Sequence, residues 1–220
     1  CEALVRWNHP EQGLLMPGSS FHFFGKEGVV IVPSWTFICL SRYAAQYADG
    51  WMRDVPLLQS PCNFSQMHFG HDGFAGQVSE IADRFQVPHH LLEVEITESA
   101  IADAPESVSS ALTELKMRGF QIAIDDFGSG YSSLGQLQRL RADVLKLDRS
   151  FVCAGLQGPR EQIVIENLVN MASELGMEVV CEGVETQVQV KVLQDIGCHI
   201  AQGYYYYRPM QTAAFEQLLG

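Results

Sequence analysis

Acidic and amide side chains recur at the ends of short apolar runs along this 220-residue chain. Glu93 and Glu95 alternate with apolar residues, which places both carboxylates on one face of a strand. Asp125 and Asp126 directly follow another apolar run. Twelve polar residues lie in or just beyond a strand candidate in this way: Glu2, Asn63, Glu95, Thr97, Glu98, Asp125, Asp126, Lys146, Asp148, Glu182, Glu185 and Gln202.

Carboxylates that converge on one place repel one another unless cations lie among them. Oxygen ligands of this kind suit Mg²⁺ or Mn²⁺ better than zinc. One aspartate could bridge two such ions about 3.5–4 Å apart, an arrangement that activates water and supports in-line phosphoryl displacement. The pattern therefore predicts phosphodiester hydrolysis. The alternative, that these acids cap helices or pair with arginines, is weakened because 14 Lys and Arg face 26 Asp and Glu.

The elements that must position these residues follow a repeated strand and helix pattern. Apolar runs rich in β-branched residues predict seven strands, at residues 2–7, 57–64, 91–97, 120–125, 144–148, 178–182 and 199–205. Segments of helical period predict helices at residues 34–48, 73–85, 105–118, 133–140, 159–175, 187–196 and 212–219. Pro159 stands at a helix start, and Gly119, Gly176 and Gly197 stand just past helix ends.

This alternation predicts an α/β fold, a modified TIM (β/α)₈ barrel, whose strand carboxyl ends converge on the face that carries the active site. Seven strand units fall one short of the eight in such a barrel, which typically takes about 250 residues. We therefore expect the first strand to lie upstream of residue 1. No break in composition divides the chain, so we interpret residues 1–220 as a single domain.

Composition excludes several classes of protein. The chain is 47% hydrophobic with a net charge of −12, which argues against binding to DNA or to an anionic membrane. No apolar run approaches the roughly 20 residues of a membrane helix, so we expect a cytoplasmic domain without membrane contact. The six cysteines include no CxxC pair, which favours a reduced setting, and Cys181 and Cys198 are expected to be buried and inert.

Three further segments have both a structural and a functional interpretation. The glycine- and serine-rich segment 126–134 follows a strand and precedes a helix, which predicts a mobile loop at the barrel mouth. Tyrosines 204–207 predict a half-buried strand rather than a platform for stacking bases. His68 and His71 have a spacing that could ligate a metal, but two solvated histidines near a helix start are the favoured interpretation.

The order of these motifs resembles that of the EAL domains, a family of phosphodiesterases that cleave cyclic di-GMP. The matching segments are residues 2–7 (EALVRW), 9–10 (HP), 17 (P), 63–65 (NFS), 95–99 (EITES), 125–134 (DDFGSGYSSL), 146–148 (KLD), 182–186 (EGVET) and 202–204 (QGY). They cover essentially the whole chain in the family's order. Residues 21–28 depart from the family's usual segment, and Cys181 stands where the family often has alanine.

The resemblance implies a modified TIM barrel that hydrolyses cyclic di-GMP to linear pGpG with two Mg²⁺ or Mn²⁺ ions. It implies metal ligands at Glu2, Asn63, Glu95, Asp125, Asp126 and Glu182, with Asp125 as the bridge. Lys146 and Glu182 would orient and deprotonate the attacking water. Arg6, the Leu4 backbone, Asp148 and Gln202 would contact the substrate. Thr97, Glu98 and Glu185 would support the site, with Glu98 holding the 126–134 loop.

The same resemblance implies a homodimer coupled to the 126–134 loop, and regulatory or cyclase-like domains elsewhere in a larger protein. Two alternatives stay open. One is a cyclic di-GMP receptor that binds without cleaving, as EAL-like domains do when acidic ligands are lost. The other is a metal-dependent barrel enzyme that acts on a different phosphoester.

Overall fold

The computed structural model describes residues 7–9, 13–15, 60–64, 66–69, 73–102, 106–129, 137, 140–155, 158–211, 214–215 and 217–218. The strands in these residues are β1 (Trp7–His9), β2 (Gly13–Leu15), β3 (Ser60–Asn63), β4 (Leu92–Thr97), β5 (Gln121–Phe127), β6 (Val144–Leu147), β7 (Glu178–Cys181) and β8 (Ile200–Ala201). The helices are α1 (Gln66–Phe69), α2 (Phe74–Arg84), α3 (Glu98–Ala102), α4 (Glu106–Met117), α5 (Arg149–Gly155), α6 (Pro159–Glu174) and α7 (Gln187–Asp195), with a 3₁₀ turn at His89–Leu91.

Six strands form one parallel sheet in the order β3-β4-β5-β6-β7-β8. Each strand pairs with its successor along the chain, which is how the wall of a TIM barrel is built. The sheet does not close into a barrel within the described residues. Its register aligns Asn63 with Glu95 and Thr97 with Asp125, so the polar strand ends lie at one edge.

The core lies between this sheet and the helices that connect its strands. Val94 and Ile96 of β4 are buried, as are Leu145 and Leu147 of β6, and they alternate with the polar residues of the same strands. Leu115 of α4 is fully buried in the same cluster. β4 and β6 thus each have an apolar face toward the core and a polar face on the other side of the sheet.

The boundaries of the four long helices agree with the sequence prediction to within two residues. Pro159 is the first residue of α6, where a missing N–H costs nothing. Gly119 and Gly176 follow α4 and α6 at φ of 92° and 77°, a left-handed conformation that glycine adopts without strain. No helix of the described residues has both the length and the apolar composition needed to cross a membrane.

The last predicted strand is much shorter than expected. β8 ends at Ala201, and tyrosines 204–207 lie exposed in the turn that follows, so the prediction of a half-buried strand was wrong. The reason is a close backbone approach: a Cβ on Gly203 would overlap the backbone of Val184. The N–H of Tyr205 donates to the Val184 carbonyl at 2.9 Å, which turns the chain across the loop after β7.

The prediction of a solvated His68 was also wrong. Its side chain is buried, and its ring packs edge-on against Phe64 with centroids 5.5 Å apart. Phe69 of the same short helix is buried too, so α1 packs into the core rather than lying on the surface. His71 lies outside the described residues, as do the predicted helix 34–48 and most of strand 2–7.

Candidate active site

Lys146 lies at the centre of the polar strand ends. Its Nζ is 2.5 Å from Oε1 of Glu95, 2.8 Å from Oε1 of Glu182 and 3.1 Å from Oδ1 of Asp125. These carboxylates come from β4, from the residue after β7, and from β5. The lysine side chain is 4% exposed, so one buried ammonium bridges acids from three neighbouring strands.

Two opposing effects act on the pKa of Lys146. Burial alone lowers the pKa of an amine, because it disfavours the charged form. The charges of Glu95, Glu182 and Asp125 outweigh burial and hold the pKa of Lys146 above its ordinary value. Lys146 is therefore a hydrogen-bond donor and a positive charge in this arrangement, and it has no lone pair with which to accept a proton.

A β-bulge brings two consecutive acids to the same site. Adjacent residues of a regular strand point to opposite faces, but the register of β5 with β6 shifts between Ile124 and Phe127. Asp126, within this shift, has a φ of 54°. Aspartate tolerates this left-handed conformation better than most residues, and a bulge of this kind re-aims side chains.

The carboxylates of Asp125, Asp126 and Glu182 offer oxygen atoms that lie within 4.8 Å of one another. Glu95 is close by and accepts a hydrogen bond from Nδ2 of Asn63 at 2.5 Å. Lys146 contributes one positive charge beside three of these four acids. This donor set, all oxygen and net negative, fits a metal cation.

Glu98 lies beside the beginning of the 126–134 loop. It is the first residue of α3, its side chain is buried, and its Oε2 accepts the N–H of Gly128 at 2.5 Å. Gly128 directly follows the bulge, so Glu98 fixes the described beginning of the 126–134 loop. Residues 130–134 lie outside the described part of the chain.

Three of the predicted residues make local structural contacts. Thr97 Oγ1 accepts the N–H of Ala100 at the start of α3. The carboxylate of Glu185 is 2.9 Å from the Arg149 guanidinium, outside the acidic cluster. Asp148 accepts the N–H of Ser150 at 2.9 Å and caps α5; burial raises its pKa, but its hydrogen bonds from Ser150 and Arg149 outweigh this and lower it.

Gln202 lies at the rim of the cluster with an exposed side chain. Its N–H donates to the Cys181 carbonyl at 2.8 Å, and its carbonyl accepts from Val184 at 3.0 Å. The backbone of Gln202 thereby ties the end of β8 to both sides of Glu182. Glu2, Leu4 and Arg6 lie outside the described residues.

Two residues that the sequence did not single out also reach this edge. Phe151 of α5 fills the space in which a Cβ of Gly128 would lie, and Arg149 fills the equivalent space at Gly183. Gly128 and Gly183 follow Asp126 and Glu182 closely in the chain. No spacing rule links a phenylalanine to a glycine 23 positions earlier, so only the folded structure could identify these contacts.

Over residues 1–209 the sequence matches the EAL domain family. The chain belongs to the EAL domain family. A solved EAL-related structure described as the MucR phosphodiesterase in complex with c-di-GMP superposes on it with a TM-score of 0.87 at 31% identity, covering 97% of this chain and 86% of that one. The modified barrel predicted from the sequence is therefore confirmed as the fold of this EAL domain.

Curated relatives of this EAL domain are longer proteins. It is 36% identical to the bifunctional diguanylate cyclase/cyclic di-GMP phosphodiesterase MucR of Pseudomonas aeruginosa, over 99% of this chain and 31% of that protein. It is 34% identical to the cyclic di-GMP phosphodiesterase RocR of the same species, over 97% of this chain and 54% of that protein. The chain thus spans between about a third and a half of these two relatives.

Proposed function

We propose that this EAL domain is a metal-dependent phosphodiesterase that hydrolyses cyclic di-GMP to linear pGpG. The observation that carries the proposal is the convergence of Asp125, Asp126 and Glu182, whose carboxylate oxygens lie within 4.8 Å of one another beside Lys146. Such a cluster is costly to maintain unless it binds cations. Relatives named as cyclic di-GMP phosphodiesterases indicate the substrate.

Two Mg²⁺ or Mn²⁺ ions suit this donor set. Bound there, such ions supply a Lewis acid for the phosphate and lower the pKa of a coordinated water. The residues that would hold them are Glu2, Asn63, Glu95, Asp125, Asp126 and Glu182, and Asp125 would be the shared ligand. The hydrogen bond from Asn63 Nδ2 to Glu95 leaves the Asn63 amide oxygen as the donor toward a cation.

Lys146 and Glu182 have different roles in the attack of water on the phosphate. A lysine whose pKa is raised by three carboxylates donates hydrogen bonds and stabilises negative charge on the phosphate. We assign acceptance of the water proton to Glu182, the carboxylate of this pair, which is 2.8 Å from the ammonium. The water oxygen bonds to phosphorus as one P–O3′ bond breaks, and O3′ takes up a proton from solvent, so that the products are a 5′-phosphate and a 3′-hydroxyl. Arg6, Leu4, Asp148 and Gln202 would contact the substrate.

The wider setting of the domain is part of the same proposal. We infer a cytoplasmic domain, residues 1–220, within a larger protein that carries regulatory or cyclase-like domains, as the name of MucR suggests. The domain forms a homodimer through the region of the 126–134 loop. It contacts neither DNA nor a membrane, in keeping with its net charge of −12.

The test is to incubate the chain with cyclic di-GMP and saturating Mg²⁺ or Mn²⁺ and to separate the nucleotides by chromatography. We expect pGpG from the wild-type chain and from Glu178→Gln, an exposed carboxylate at the start of β7. We expect no pGpG from Glu182→Gln, a substitution four residues after Glu178 in the chain. Tight binding of cyclic di-GMP without pGpG would make the domain a receptor, and cleavage of another phosphodiester alone would assign a different substrate.

A further inference from the structure

The first turn of α5 contacts two glycines that lie on opposite sides of the acidic cluster. Gly128 follows Asp126, the Cβ it lacks would overlap the Phe151 ring, and its φ is 95°. Gly183 follows Glu182, the Cβ it lacks would overlap the Arg149 side chain, and its φ is 72°. Side chains of this seven-residue helix therefore occupy the spaces in which a Cβ of Gly128 and a Cβ of Gly183 would lie.

The same turn is fixed to the strand that carries Lys146. Asp148 follows β6, and its N–H donates to the Phe127 carbonyl at 3.2 Å. Its carboxylate accepts the N–H of Ser150, and its carbonyl accepts the N–H of Phe151 at 3.0 Å. Arg149 is held from the other side by Glu185. The helix start is therefore anchored at β6, at the β5 bulge and at the loop after β7.

We propose that Arg149 and Phe151 are positioning residues that set the distance between the Asp125–Asp126 carboxylates and the Glu182 carboxylate. The inference rests on the proposed function only for the presence of a metal site. Phe151 acts on Asp126 through the backbone of Gly128, and Arg149 acts on Glu182 through Gly183. With both gaps filled, neither loop can move toward α5, and the three carboxylates stay within 4.8 Å of one another.

This role predicts a specific defect in metal affinity. Phe151→Ala empties the space at Gly128, and Arg149→Ala removes the atoms beyond Cβ from the space at Gly183. Residues that orient metal ligands typically change metal affinity by about 10–100-fold when they are removed. We expect the dissociation constant for Mn²⁺ to rise about tenfold in each variant, and the two effects to reinforce each other in the double variant.

The experiment is a Mn²⁺ titration of the metal-stripped chain, with free Mn²⁺ measured by electron paramagnetic resonance and without any nucleotide. Arg149→Met keeps side-chain atoms in the space at Gly183 and loses the ion pair with Glu185, so we expect nearly wild-type affinity from it. The Mn²⁺ affinity of Phe151→Leu is expected to lie between those of the wild-type chain and Phe151→Ala. If Phe151→Ala does not fold, Phe151→Leu replaces it in the titration.

The matched control variants carry substitutions in α6, which lies outside the acidic cluster. Ile165→Ala creates a cavity in the core, and Arg160→Met removes an exposed guanidinium. At an equal loss of melting temperature, Ile165→Ala should keep wild-type Mn²⁺ affinity. Unchanged affinity in Phe151→Ala and Arg149→Ala, or an equal loss in Ile165→Ala, would overturn the inference. Mn²⁺ binding by a wild-type chain that releases no pGpG would overturn only the proposed function.

Discussion

Charged side chains are arranged differently at the two ends of the parallel sheet. At the amino end, Asp143 precedes β6, and its carboxylate is 2.9 Å from the ammonium of Lys116. The same carboxylate accepts the N–H of Ile122 at 3.0 Å, and Lys116 also donates to the carbonyl of Arg141. Lys116 and Asp143 each have an opposite charge and a backbone partner, so this pair connects α4, β5 and β6 without excess charge of its own.

At the carboxyl end of the sheet, one ammonium forms ion pairs with several carboxylates. Lys146 contacts Glu95, Asp125 and Glu182, and Asp126 adds a further carboxylate. The Lys116–Asp143 pair stabilises the fold by itself, whereas close carboxylates at the carboxyl end repel one another unless cations lie among them. We propose that the charges at the amino end contribute to stability and that those at the carboxyl end bind metal.

The largest effect that this contrast predicts is from Asp125→Ala. We expect turnover of cyclic di-GMP to fall by more than about 10⁴-fold, because the variant lacks a carboxylate that we propose as a metal ligand and that would help to activate water. Mn²⁺ titration and chromatography of the products should show affinity and turnover falling together. Turnover within tenfold of wild type, at matched metal, would remove Asp125 from the metal site.

Lys146→Ala should reduce turnover by about 10²–10⁴-fold, the usual contribution of a positioned proton-transfer or charge-stabilising group. Metal and cyclic di-GMP binding, measured by calorimetry, should stay largely intact, because the carboxylates remain. The metal-free variant should melt at a lower temperature than wild type, since Glu95, Asp125 and Glu182 have then lost their shared cation. Near-normal turnover would make Lys146 a structural residue, and lost substrate binding would move its role to the phosphate.

Adding a divalent cation should stabilise the folded chain. At a free concentration of 100 times the dissociation constant, the free energy of unfolding should rise by about 2.7 kcal/mol. Thermal unfolding with and without Mn²⁺ measures this rise, and Asp143→Asn at the amino end should show the same rise as wild type. An unchanged melting temperature for the wild-type chain would contradict a cation site at the carboxyl end.

The smallest effect is expected from Asp143→Ala. It removes the partner of Lys116 and leaves the Ile122 N–H without its acceptor, which should lower the free energy of unfolding by about 1–3 kcal/mol. Urea unfolding measures the loss. Turnover at saturating metal should be unchanged in the folded fraction, and a loss of turnover without a loss of stability would show that the two ends are not independent.

The sequence predicts the strands and the convergence of their ends because both follow from periodicity in a few neighbouring residues. It cannot predict the bulge at Asp125 and Asp126, which exists only relative to the register of β6. Aromatic residues favour strands, but at 204–207 the contact between Gly203 and Val184 overrides that preference. Asp148 has the same spacing signature as the site acids, but in the structure it caps α5.

The sequential order of the sheet has a consequence for synthesis on the ribosome. Because every strand from β4 to β8 pairs with its predecessor, each can dock on an edge that has already emerged. The carboxylates of Glu95 and Asp125 are made before the ammonium of Lys146. At about 5–20 residues per second, the 21 residues from 125 to 146 take about 1–4 s. During that interval the nascent chain carries Glu95 and Asp125 without the ammonium that contacts them in the folded domain.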